Sequence, residues 1–179
     1  MESSFRIAEF DTSGVVADLN TAFETDAART LSLCLDVPRW VEDVLSARPF
    51  TDVQALRHAI HRAAAPLTAD EVRRALAVHP RIGERPGNHD ASAEYANAEQ
   101  SGVDISDASV EQRLRAGNLA YENRFGQVFL IRAAGRDAHA VLDALQSRLG
   151  NDPETESAVV EHELREIAEI RATGSLGDV

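Results

Sequence analysis

The residues best equipped for chemistry lie in one short run, His79-Pro80-Arg81-Ile82-Gly83-Glu84. Proline cannot continue a helix and disfavours helical dihedrals in the residue before it, so Pro80 places His79 where a helix stops. A histidine at that end faces the partial negative charge of unsatisfied carbonyls. This favours the imidazolium, raises its pKa toward neutral pH and yields a proton donor. The same imidazole also reads as a cap that bonds those carbonyls for stability alone. Glu99 and Gln100 follow Ala96 at i+3 and i+4 on an expected helix, which sets them on one face where they can enter one cavity; an exposed pair is the plainer reading. Arg171 extends the stripe Val160, Leu164, Ile167 at spacings of 4, 3 and 4 and so aims at the core. A buried guanidinium wants an anion, whereas a snorkelling one needs only water at its tip.

Other chemistries fit less well. His58-x-x-His61 puts two imidazoles on one helical face but lacks a Glu or Cys in a recognised metal pattern, so it reads as solvated surface. A metal-dependent hydrolase using His58, His61 and His89 is the weakest reading. Glu161-His162-Glu163 reads as the wet face of the last helix. All 18 basic residues are arginine, which excludes Schiff-base chemistry through lysine, and phosphate-cradling loops and nucleophile elbows are absent. With 30 acidic residues and a formal charge of −12, the chain repels a phosphate backbone, so no nucleic acid partner is expected. Cys34, the single cysteine, reads as a buried small hydrophobe and points to a reducing, cytoplasmic setting. A basic-then-apolar leader, a membrane-length apolar run and a peroxisomal C-terminal signal are all lacking.

Helices must position these groups. Thr68-Ala69-Asp70-Glu71 has the form of a capping box and predicts a helix from about Thr68 to Val78. Ser109-Val110-Glu111-Gln112 repeats the pattern ahead of Val110, Leu114, Gly117, Tyr121 and Phe125, and Gly126 is the expected C′ residue. Further helices are expected over Asp26–Leu35, Pro38–Ser46, Asp52–Ala64, Asp137–Leu149 and Pro153 to about Arg171. Only Val128–Ile131 reads as extended, too short for a sheet of its own. With 179 residues the prediction is an all-α, single-domain bundle of about seven to nine short helices spanning residues 1–179.

Taken in order, these parts form a pattern: Trp40-Val41, Arg48-Pro49-Phe50, His79-Pro80-Arg81-Ile82-Gly83-Glu84, Glu99-Gln100, Asn118-x-x-Tyr121-x-x-Arg124-Phe125-Gly126-x-x-Phe129-Leu130-Ile131, Gly135-Arg136, Arg148-Leu149-x-Asn151-Asp152 and Glu166-Ile167-Ala168-x-Ile170-Arg171. From about residue 18 to residue 172 the chain resembles 2-oxo-4-hydroxy-4-carboxy-5-ureidoimidazoline (OHCU) decarboxylases. The resemblance implies an all-α, usually homodimeric enzyme that completes the conversion of urate to (S)-allantoin with no cofactor and no metal. It implies His79 as the catalytic histidine, Glu99 as the functional carboxylate and Arg171 as the C-terminal arginine of the site. It further implies substrate contacts at Pro80, at Ala96, Asn97, Ala98 and Gln100, and at Phe129, Leu130, Ile131, Arg132 and Ala133. Ala96 stands where the family has serine, which removes a hydroxyl, and Arg132 stands where many relatives have a small residue. A non-catalytic helical scaffold that keeps the family frame is the alternative that Ala96 motivates.

Overall fold

A computed structural model describes residues 13–83 and 108–174. Eight helices are found among them and no strand: α1 Ser13–Thr21, α2 Glu24–Cys34, α3 Pro38–Ser46, α4 Val53–Ala63, α5 Ala69–Ala77, α6 Ala108–Phe125, α7 Ala138–Arg148 and α8 Pro153–Ala172. The all-α expectation holds, and side-chain capping explains four of the eight helix starts. Thr68 accepts the Glu71 amide at 3.3 Å while Glu71 accepts the Thr68 amide at 2.8 Å, closing the box that starts α5. Asp52, Asp137 and Asp152 cap α4, α7 and α8 by accepting first-turn amides, without the reciprocal bond, and Pro153 stands in the first turn of α8. Ser109 behaves otherwise, because α6 already begins at Ala108 and takes the serine into its first turn. Helix α1, which the sequence reading passed over, carries Gly14, Val15, Val16 and Thr21, residue types with weak helix propensity. Packing of Val16 and Leu19 into the core holds it.

Two apolar clusters form the interior. The larger joins α1 to α5 with α8 around Trp40, Leu31, Leu35, Leu56, Ile60, Leu164 and Ile167, and the Trp40 indole donates to the Ile60 carbonyl at 3.1 Å. The smaller joins α6 and α7 around Leu114, Tyr121, Val141, Leu142 and Leu145. At Gly117 the two helices approach so closely that a Cβ would stand 2.4 Å from Leu145 Cδ2. The segment 127–133 runs between the clusters without regular structure, as a strap: Leu130 enters the larger cluster, Phe129 and Ile131 the smaller. That alternation is the period-two geometry of extended chain, used here to join two cores.

Candidate active site

His79 follows the last turn of α5, as Pro80 predicts, and is buried, only 8% exposed. Its Nδ1–H donates to the Ala75 carbonyl at 2.8 Å. This bond fixes the tautomer and leaves the Nε2 lone pair bare, and Nε2 is buried with no hydrogen-bond partner among the described residues. The expected rise in pKa does not occur. Burial, reinforced by the positive charge of Arg171, pushes the imidazole down to about 4, against a smaller upward pull from the Ala75 carbonyl. Desolvation penalises the charged ring more than one carbonyl favours it. His79 is thus a neutral base at pH 7, where the sequence reading had a proton donor.

Arg171 lies on the buried face of α8, 4% exposed, and its Nη1 donates to the Leu33 carbonyl of α2 at 3.2 Å. The snorkelling alternative is ruled out. The same arginine borders a hollow of about 310 Å³ between α1, α2 and the end of α8, where Asp18, Asp26 and Thr30 also stand and which His79 does not line. The positive charge of Arg171 also bears on His79.

The loop after His79 is held from α6. Asn118, itself buried, donates from Nδ2 to the Ile82 carbonyl at 3.0 Å, and Arg81 pairs with Glu122, Nη2 to Oε2 at 2.8 Å. Gly83 takes a positive φ of 84°, a conformation that glycine adopts without steric cost. Ile82 packs in the cluster that contains Phe129 and Ile131, so the loop and the strap share one core. Pro80 is half-buried.

Along the strap, Phe129, Leu130, Ile131 and Ala133 are buried and Arg132 is half-buried. Several of its backbone groups are already committed to protein. Arg148 Nη1 donates to the Leu130 carbonyl at 2.7 Å, the Arg132 amide donates to Glu163 Oε2 at 2.7 Å, and the Arg132 carbonyl accepts from Arg136 Nε at 3.0 Å. The Ile131 amide and carbonyl carry no partner among the described residues. The two backbone groups of Ile131 thus stay unpaired, whereas Leu130 O and both groups of Arg132 are taken.

Behind the strap lies a buried polar network. The Arg148 guanidinium pairs with Glu156 Oε1 at 2.6 and 2.8 Å, Tyr121 donates to the same oxygen, and Asn151 Nδ2 donates to Glu156 Oε2 at 2.8 Å. Burial and the bond to Glu156 push the Tyr121 phenol above its ordinary pKa, so it stays a donor. Arg148 also stands over the Phe129 ring at 4.7 Å. Sequence reasoning missed this support and assigned Glu163 to water, although it is buried. The signal was present: Glu156 and Glu163 fall on the stripe of Val160, Ile167 and Arg171 at spacings of 3 and 4. Glu99, Gln100, Ala96, Asn97, Ala98 and His89 lie outside the described residues. His58 is exposed and His162 likewise.

The OHCU decarboxylase family model matches residues 20–173. The chain belongs to the OHCU decarboxylase family. It is similar to the 2-oxo-4-hydroxy-4-carboxy-5-ureidoimidazoline decarboxylase of Haloferax volcanii, 35% identical over 134 residues that cover 74% of this chain and 78% of the relative. The decarboxylase of Mus musculus is 28% identical over 75% of this chain and 76% of its own length. The uric acid degradation bifunctional protein TTL of Arabidopsis thaliana is 31% identical over 58% of this chain, which spans 33% of that longer protein. A crystal structure of OHCU decarboxylase in the presence of (S)-allantoin superposes with TM-score 0.65 at 24% identity, covering 88% of this chain and 100% of that one, a likeness of fold.

Proposed function

We propose that the protein decarboxylates 2-oxo-4-hydroxy-4-carboxy-5-ureidoimidazoline to (S)-allantoin and CO2, the last step from urate to allantoin, with His79 moving the proton. Membership of the family supports the reaction. The observation that supports His79 is its buried, bare Nε2 on a neutral ring. The substrate holds its own electron acceptor, an imine beside the carboxylated carbon. When the bond to CO2 breaks, the pair forms a double bond between the two ring carbons and the imine pair withdraws to nitrogen, which takes a proton. The hydroxyl on the first carbon then becomes a carbonyl: its proton passes to Nε2, and a proton is returned to the second carbon on one face, which sets the stereocentre. One proton per carboxylate is taken up overall. No lysine, metal or cofactor is required. A base that is neutral at rest and an acid once loaded suits both halves.

Arg171 neutralises the carboxylate or the oxyanion by charge-assisted hydrogen bonds, and Ile131 offers an amide and a carbonyl to the ring edge. Glu99 orients the imidazole or the ureido donors, Gln100 reads an amide edge, and Ala96, Asn97, Ala98, Pro80 and the strap residues complete the pocket. We further place the whole chain, residues 1–179, as one domain in the cytoplasm acting as a homodimer. No helix among the described residues is long and apolar enough to cross a membrane, which supports the location, and family resemblance supports the dimer. Light scattering should then give twice the 19.4 kDa chain mass.

The test is direct. Substrate generated from urate by the two preceding enzymes is followed by circular dichroism of allantoin, with and without the protein. Acceleration with (S) excess is expected; an unchanged racemic time course rejects the enzyme and leaves the scaffold. His79→Ala should keep the helical spectrum and lose on the order of 10² to 10⁴ in rate. Full activity in that variant rejects the assignment of His79.

A further inference from the structure

Helices α4 and α8 bring together three side chains that no step of the decarboxylation uses. His61 lies in the last turn of α4, and Glu166 and Glu169 stand at i and i+3 on α8. One ligand atom from each falls within 4.8 Å of the others. His61 Nε2 already contacts Glu169 Oε2. Glu166 carries no bonded partner among the described residues, so its carboxylate adds charge beside Glu169 without a cation of its own. Arg57, one turn back on α4, stands with its Nε 3.0 Å from Glu169 Oε1 but aims its hydrogen badly enough to count as unbonded. The two carboxylates thus lie together with one misaligned guanidinium beside Glu169. All three donors are half-buried, so they are partly ordered and still reachable from water.

We propose that His61, Glu166 and Glu169 bind one divalent transition-metal cation of the zinc type, with water in the remaining positions. One imidazole and two carboxylates form a mixed nitrogen and oxygen set that suits zinc or cobalt, whereas magnesium and calcium prefer oxygen alone. The sequence hid the site because the histidine and the glutamates are more than a hundred positions apart. An ion there ties α4 to α8 and stabilises the fold; it stands apart from the chemistry, so CO2 release continues without it.

The test uses the full, tag-free chain and zinc alone in a calorimetric titration, with cobalt absorption as a second reading. One ion per chain is expected, with zinc raising the Tm. His61→Ala and Glu166→Gln should each weaken binding by at least about tenfold and erase the cobalt bands. Arg57→Gln should tighten it by removing the competing charge, and His58→Ala should change nothing. Equal affinity in His61→Ala and Glu166→Gln, loss of binding in His58→Ala, or no binding at millimolar zinc overturns the site. Chelator separates this from the proposed function: it should lower the Tm of zinc-loaded protein and leave decarboxylation intact.

Discussion

At His79 two effects of opposite sign meet, and their sizes decide the chemistry. A helix C-terminus favours a cation by about 0.3–1 kcal/mol, up to about 2 when partly buried. Desolvation of an almost fully buried imidazole, with Arg171 near it, outweighs that, and the ring sits at about 4 where an exposed histidine has 6.5. The base form therefore exists throughout the physiological range. The kcat/KM profile should be flat from about pH 8 to pH 5 and fall only as pH approaches the imidazole pKa near 4. An acid limb centred on the ordinary histidine value contradicts this. Arg171 makes the same point from the other side. In Arg171→Met the positive neighbour is gone, so the His79 NMR titration should move upward while kcat/KM falls for want of the anion partner. A variant that loses activity with an unmoved titration would reduce Arg171 to substrate contact alone.

Helices with chemistry at their ends were legible in advance, and so was the extended course of Val128–Ile131; what holds that irregular segment was not. The capping box at Thr68 and Glu71, the aspartates before α4, α7 and α8, and the stop at Pro80 are local devices written in adjacent residues. So His79 and Arg171 could be placed from sequence alone. The anchoring of the strap resists such reading, since its backbone is held by side chains remote in sequence: Arg148 on Leu130 and Glu163 on Arg132. Helix α1, poor in propensity, is likewise made by tertiary packing. For the network behind the strap, Arg148→Met removes one member of a buried ion pair and leaves Glu156, 1% exposed, without its cation. Loss of about 3–5 kcal/mol is expected in urea unfolding, while the double variant Arg148→Met with Glu156→Leu should cost less than the single. A double variant worse than the single would mean that the pair itself stabilises, beyond avoiding a stranded charge. The same single variant should raise KM, because Leu130 loses the donor that holds the strap in register.

The whole molecule carries −12 and a sequence pI near 4.9, so lowering pH from 7 removes self-repulsion and on that ground alone should help the compact state. His79 works against this. Its pKa is 6.5 in the unfolded chain and about 4 when folded, so between these values the unfolded state binds the extra proton and stability falls as pH falls. The contribution is fully present above pH 6.5 and lost on the way down to about 4, amounting to about 3 kcal/mol. Glu71 adds to the loss at the acid end. Held at about 2 mainly by its bond to Arg39, it favours the folded state above its ordinary value of 4.5 and releases that stability as pH drops toward 2. With Arg39 nearly half exposed, solvent trims this part to a surface-pair magnitude of under about 1 kcal/mol. The two titrations therefore occupy adjacent windows. Urea midpoints measured from pH 8 to pH 3.5 for the natural chain and for His79→Gln, which keeps a polar side chain but cannot take the proton, isolate the first. The difference between the curves should be constant above pH 6.5 and close by about 3 kcal/mol toward pH 4. Parallel curves through that window would mean that the imidazole is hydrated in the folded protein, and the neutral base at the site would go with it.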